Sequence, residues 1–312
     1  MRSVGADNLW GKFVNLGFLG VIRVICQQLI GPSYSGSFFL RLADAISRTR
    51  IPEKLIKLCP IATNQAWSKR VAAMDILAKQ SLDQDFTALE IGTWFGEGST
   101  KIWGKYLKPG ARLFLCDSWT KYASEVDIKK TPTYSSMDKL HHIAINSVLK
   151  KVYELEERTG GEVIVIRGKS AHVMASLKPE TFDFVYVDGS HYYWDVFRDI
   201  ELAKMLIKDG GCLCGDDLEA DPCAEIETIA REHLDHDFIT VRMSDGREIS
   251  FHPGVALAVS QQIGAVNREQ GFWWVWRQGN SWVCQRPLSQ EQPCSFQPHT
   301  TAPAECVSDG RL

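Results

Sequence analysis

No two cysteines in this chain have the Cys-x-x-Cys spacing, and the nine that are present are odd in number. Neither a disulfide framework nor a thiolate zinc site is therefore supported. Cys212 and Cys214 lie two apart in an apolar run, so both are expected on one face of a strand. All nine read as small core residues in a reducing, cytoplasmic compartment. A basic stripe is also missing. Thirty-five Lys and Arg face 38 Asp and Glu, for a net charge of −3, and the positive residues are scattered. That argues against nucleic acid as a partner. No clean apolar run is long enough to span a bilayer. The nearest candidate, residues 13–30 (FVNLGFLGVIRVICQQLI), is interrupted by Arg23, Gln27 and Gln28, and no small-residue cleavage site follows it cleanly. Val14, Phe18, Val21, Ile25 and Leu29 recur there at helical spacing. The expectation is an amphipathic helix that packs on the domain or on a second copy of the chain, with an interfacial membrane helix as the lesser alternative. Internal repeats are absent.

What is present is an alternation. Residues 1–70 look helical and end in connections containing Pro52 and Pro60. From about residue 87, short apolar runs (TALEI, RLFLCD, VIVIRG, FDFVYVDG, GCLCGDD) alternate with helical stretches such as the one carrying Val196, Ile200, Ala203 and Ile207. Strands alternating with helices predict an α/β, mostly parallel, doubly wound sheet. Ligands of such sheets gather at the carboxyl ends of the strands, and the polar residues fall there. Farther on, FITVRM and FWWVW read as strands with a helix at PGVALAVSQQIG between them. The cluster Phe272, Trp273, Trp274, Trp276 and Trp282 is expected on an edge strand packed against the core. The division is an N-terminal helical extension (1–70), a main domain (71–285) and a tail (286–312) whose Pro, Ser, Gln and Thr content predicts disorder.

The first apolar run ends in an acid and glycines, ALEIGTWFGEGST. The dinucleotide spacing G-x-G-x-x-G is not met. Nor is the phosphate loop G-x-x-x-x-G-K-[ST], because residue 163, five before the Gly168 of GKS, is Val. What remains is E-x-G-x-x-x-G, starting at Glu90, with a helix expected from about Ser99. Asp117 ends the next run, 27 residues later. This order of segments over about 130 residues resembles the class I S-adenosylmethionine-dependent methyltransferases. The resemblance implies a Rossmann-like, seven-stranded sheet. It places Glu90, Gly92, Thr93, Gly96 and Ser99 at the loop under the methionine part of the cofactor. It places Asp117, with Ser118 beside it, at the ribose hydroxyls, where an ionised carboxylate can accept two donors. Ser170 would meet the adenine, and Asp188 would close the cofactor side.

Asp188 follows the fourth run, and Asp216 and Asp217 follow the fifth. Neighbouring parallel strands would bring these acids to one rim. Three close carboxylates cannot all stay ionised without a compensating charge. A hard divalent cation, Mg²⁺, fits all-oxygen ligation. The bland alternative makes Asp188 and Asp217 helix caps. His191, three residues after Asp188, would face the same rim and could take a proton from a hydroxyl. This arrangement is similar to the metal-dependent O-methyltransferases, on the macrolide-sugar side of that group because of His191 and the 28-residue step from Asp188 to Asp216. Catechol O-methyltransferases and cephalosporin-hydroxylase-like proteins are more distant in pattern. The resemblance implies methyl transfer to a hydroxyl of a vicinal diol, in a sugar, a saccharide or a glycosylated natural product. A sizeable auxiliary N-terminal domain, found in the sugar enzymes, is not seen. Residues 119–150, with Trp119, Tyr122, Tyr134, His141 and His142, read as a lid or substrate wall, and Trp119 as a cover for adenine. Tyr192, Tyr193 and Trp194 either line the acceptor pocket or pack a helix. Rival readings are a metal-independent methyltransferase, a cofactor-binding module without turnover, and a nicotinamide enzyme whose glycine spacing is wrong.

Overall fold

The computed structural model describes residues 68–82, 85–121, 123–130 and 140–285. The amphipathic stretch 13–30, the tail from 286, and Tyr122 and Tyr134 of the expected lid lie outside them. Among the described residues eighteen elements follow one another: α1 (Ser68–Ser81), β1 (Thr87–Ile91), α2 (Ser99–Trp103), β2 (Arg112–Asp117), α3 (Glu125–Lys130), α4 (His141–Thr159), β3 (Glu162–Arg167), α5 (Ser170–Ser176), β4 (Phe182–Val187), α6 (Tyr193–Leu206), β5 (Ile207–Leu218), α7 (Ala224–Arg231), β6 (Ile239–Arg242), β7 (Glu248–Phe251), α8 (Pro253–Gln262), β8 (Asn267–Glu269), β9 (Gly271–Gln278) and β10 (Ser281–Val283). Among them no helix is long and apolar enough to cross a membrane.

The main sheet runs β10-β9-β5-β4-β1-β2-β3, with β8 added against β9. The five strands from β5 to β3 are parallel, and β8, β9 and β10 pair antiparallel. All five residues of β1 are buried, as a strand covered on both faces requires. One face carries Met74 and Leu77 of α1, Trp103 of α2, and Ala144 and Val148 of α4. The other carries Met174 of α5, Val196 and Ile200 of α6, and Val255 and Val259 of α8. This is the mostly parallel α/β arrangement expected from the alternating pattern. Cys212 and Cys214 do share one face. Most of the aromatic cluster is not on an edge: β9 lies between β5 and β10, its residues 271–276 are buried, and of the cluster Trp282 alone sits on the edge strand β10. FITVRM leaves the sheet altogether, and its β6 pairs with β7 in a separate hairpin.

Chain order reverses at β1. From it β2 and β3 follow on one side, β4 and β5 on the other. The crevice at such a reversal is where this fold binds ligands. Two local features shape its rim. Gly92, at φ +87°, passes so close to β4 that a Cβ there would lie 1.7 Å from the Asp188 carbonyl oxygen. At the end of β5 the pairing with β9 slips between Gly215 and Leu218, and Asp217 takes φ +61°. Successive strand residues normally point to opposite faces. The irregularity lets both Asp216 and Asp217 reach the same cavity.

Candidate functional site

A cavity of about 530 Å³ opens along the carboxyl ends of β1, β2, β4 and β5. Its first half is built from the glycine loop and Asp117. The Asp117 carboxylate accepts the backbone N–H groups of Thr93 (3.0 Å) and Trp94 (2.9 Å) on one oxygen and that of Trp119 (2.7 Å) on the other. Burial raises this carboxyl above the ordinary range, and the amides that donate to it oppose the rise. Trp94 and Trp119 both sit at positive φ (50° and 43°), and the Trp119 indole N–H donates to the Trp94 carbonyl at 2.9 Å. Non-glycine residues in that region cost about 1–3 kcal/mol each and gather at functional sites. Trp119 is buried in the core on one side and lines the cavity on the other.

The second half is acidic. Register explains it: Val187 pairs with Gly215, so Asp188 and Asp216 stand level on adjacent strands. The Tyr186 hydroxyl lies between them, 2.9 Å from Asp188 Oδ2 and 3.3 Å from Asp216 Oδ2. Arg70 of α1 places Nη1 2.5 Å from Asp216 Oδ2 and 3.7 Å from Asp217 Oδ1. Its Nε donates to the Gln270 carbonyl at 3.3 Å. His191 has Nε2 3.0 Å from Asp217 Oδ2 and 3.8 Å from Asp188 Oδ1, while Nδ1 is 2.8 Å from Asp237 Oδ1. The His252 ring packs edge-on against it, centroids 4.5 Å apart. The capping alternative for the acids fails, since the N-caps of α6 and α7 are Tyr192 and Cys223.

Five carboxylates here (Asp188, Asp216, Asp217, Asp237 and Glu219) face three basic side chains, Arg70, His191 and His252. The consequence is visible in the ionisation. Burial, then Asp217 and Asp188, push the Asp216 carboxyl well above its usual range despite Arg70. Burial also lifts Asp188, with Asp217 adding to it. Burial acts on Asp217 in the same sense, but His252, His191 and Arg70 outweigh it and hold that carboxyl below the usual range. Burial lowers His191, yet Asp237 and Asp217 reverse this and hold the imidazole protonated well above its ordinary range. Hard oxygen donors crowded so closely that they cannot all ionise unaided suit a divalent cation. Asp188, Asp217 and His191 each offer an atom within 4.8 Å of one another. Asp216 instead faces Arg70, so a cation bound by all three acids would share its seat with that guanidinium.

Gly92, Thr93, Ser99, Asp117, Ser118, Ser170, Asp188, His191, Asp216 and Asp217 all line the one cavity. Glu90 and Gly96 do not. Glu90 is buried inside β1, where its Oε1 accepts the hydroxyls of Ser99 and Thr100 at 2.8 Å each. Its other oxygen has no hydrogen-bond partner among the described residues, and burial lifts the carboxyl to about 8. Gly96 faces Val148 of α4. His141 and His142 open α4 and are not among the residues lining the cavity. Tyr193 packs in the core, whereas Trp194 is 68% exposed at the cavity's edge. Four contributors escaped the sequence reading. Tyr186 and Asp199 left a signal: Tyr186 stands two before Asp188, and Asp199 is an acid among the apolar residues of α6. Asp199 lines the cavity, accepts from Ser170, and is lifted by burial to about 7. Arg70 and Asp237 left none, because only the fold brings them in.

Residues 89–218 match the family model described as a methyltransferase domain. No curated protein matches the sequence. Among solved structures, the calicheamicin methyltransferase CalS11 is 14% identical, with a TM-score of 0.46 over 80% of this chain and 95% of that one. An O-methyltransferase from Bacillus cereus, solved with SAH, is 18% identical, with a TM-score of 0.35 over 74% and 94%.

Proposed function

We propose that this protein is an S-adenosylmethionine-dependent O-methyltransferase acting on one hydroxyl of a vicinal diol, in a sugar or a glycosylated natural product. In this reading Asp188, Asp216 and Asp217 hold Mg²⁺, and the protein works in the cytoplasm. The observation that carries it is continuity. The loop clamped by Asp117 and the acid rim with His191 line one cavity, so a methyl donor and an acceptor oxygen can meet there.

The cofactor carries the methyl group, so no protein nucleophile is required. The chain's work is placement, worth roughly 7–11 kcal/mol for well-oriented reactants. The glycine loop and Asp117 hold the donor, and the rim holds the acceptor. His191 receives the acceptor proton at Nε2, because Nδ1 is turned toward Asp237. Asp237 first and Asp217 next hold the imidazole protonated, so offsetting the charge at Asp217 would move it toward the neutral form that accepts a proton. Bound Mg²⁺ would supply that charge and lower the pKa of a coordinated hydroxyl.

A second reading is metal-independent transfer. Arg70 favours it, since a guanidinium already lies against the acids that the cation would need. The deciding experiment is a methyl-transfer screen over diol and sugar libraries with labelled S-adenosylmethionine, with Mg²⁺ and with EDTA. Transfer that stops in EDTA and returns with Mg²⁺ supports the first reading. Transfer indifferent to EDTA selects the second. Cofactor retained with no transfer to any diol counts against both.

A further inference from the structure

We propose that Asp237 is a positioning residue that aims His191 at the acceptor oxygen, and that Asp127 of the 119–150 insertion fixes Asp237. The inference rests on the reading of His191 as the base and extends it to two residues outside the sequence pattern.

An imidazole on a loop turns about two side-chain bonds. It becomes a directed base when its second nitrogen is held. Here Nδ1 lies 2.8 Å from Asp237 Oδ1, which leaves Nε2 toward the rim. Asp237 is 3% exposed and comes from the loop between α7 and β6, 46 residues from His191. A buried carboxylate is costly unless it is paired, and a charge-assisted bond to imidazole is strong pairing.

The loop bearing Asp237 is itself tethered. Its backbone N–H donates to Asp127 Oδ2 at 3.2 Å. The same oxygen accepts the Tyr192 hydroxyl at 2.7 Å and the Ser124 hydroxyl at 2.9 Å. Tyr192 is His191's neighbour in the chain. One acid of α3 therefore ties both the residue beside the base and the residue behind it. Close packing from the opposite side limits any slack. A Cβ on Gly254, at the start of α8, would lie 2.2 Å from the His191 carbonyl oxygen. On this view the insertion buttresses the base as well as walling the cavity.

Proton NMR of the full chain tests the idea. Wild type should show a slowly exchanging downfield imidazole N–H that disappears in His191→Gln. Asp237→Asn should lose it, whereas Asp217→Asn, which alters only the Nε2 side, should keep it. Asp127→Asn should keep the resonance but speed its exchange about tenfold, the equivalent of one net hydrogen bond. S-adenosylhomocysteine binding, within about threefold of wild type, establishes folding of each variant. If Asp237→Asn does not fold, the Asp127→Asn arm decides. A resonance unchanged in the Asp237 variant, or in the Asp127 variant when that alone folds, overturns the proposal. Methyl transfer that survives His191→Gln while the NMR arms succeed removes the base assignment and leaves the hydrogen bonds standing.

Discussion

Arg70 Nη1 and Asp216 Oδ2 lie 2.5 Å apart, although 146 residues separate them in the chain. A guanidinium from the helix before β1 thus occupies part of the charge well formed at the ends of β4 and β5. Any divalent cation bound by Asp216 must work against it. We expect Arg70→Ala to bind Mn²⁺ about tenfold more tightly than wild type, since a like charge is removed at short range. Calorimetric titration of each protein measures this directly. Weaker binding in the variant would mean that Arg70 organises the acids rather than competing for them.

Asp216→Asn and His191→Gln separate the two halves of the cavity. Neither residue belongs to the loop clamped by Asp117, so S-adenosylmethionine affinity should stay within about threefold of wild type. Methyl transfer should fall by about two orders of magnitude or more in each. Paired binding and turnover measurements check this. A large loss of cofactor affinity with full turnover at saturation would contradict the assigned roles.

Glu90 gives a pH prediction. Its carboxyl is lifted by burial to about 8, from an ordinary value near 4.5. Between those values the folded chain holds a proton that the unfolded chain has lost. Stability contributed by this site therefore falls as pH rises through that window. Glu90→Gln cannot ionise and retains an oxygen for Ser99 and Thr100. Its melting temperature should gain on wild type steadily from about pH 5 to pH 8, with little difference below pH 4.5. Parallel pH dependence in the two proteins would place the ionisation elsewhere.

Much of this site was legible because it sits directly after apolar runs. Asp117 is the last residue of β2, Asp188 and His191 stand one and four residues past β4, and Asp216 and Asp217 lie in the last irregular turn of β5; a parallel sheet collects such positions. Glu90 was misplaced for a physical reason. A one-residue shift along a strand changes the face, and Glu90 lies inside β1 with Ile91 after it. The tryptophan strand misled because aromatic richness does not distinguish a covered edge from an inner strand. Arg70, Asp127 and Asp237 were beyond reach. Their roles arise from contacts across 46 to 146 residues of chain, set by packing and by no local pattern.

The clamp at Asp117 yields the sharpest discrimination between structure and ligand binding. If its carboxylate served only the ribose, Asp117→Asn would leave the ligand-free protein as stable as wild type. Instead, three backbone N–H groups converge on it, from Thr93, Trp94 and Trp119. An amide in its place turns one acceptor oxygen into a donor facing other donors. Two of these amides belong to residues at positive φ, which persist only while their surroundings hold them. We expect ligand-free Asp117→Asn to lose roughly 1–3 kcal/mol in denaturant unfolding, the cost of stranding a buried donor. Its S-adenosylmethionine affinity should also drop by more than about tenfold, because the glycine loop is no longer pinned. Unfolding curves without ligand isolate the first effect. A variant with unchanged intrinsic stability and weakened cofactor binding would assign Asp117 to the ligand alone.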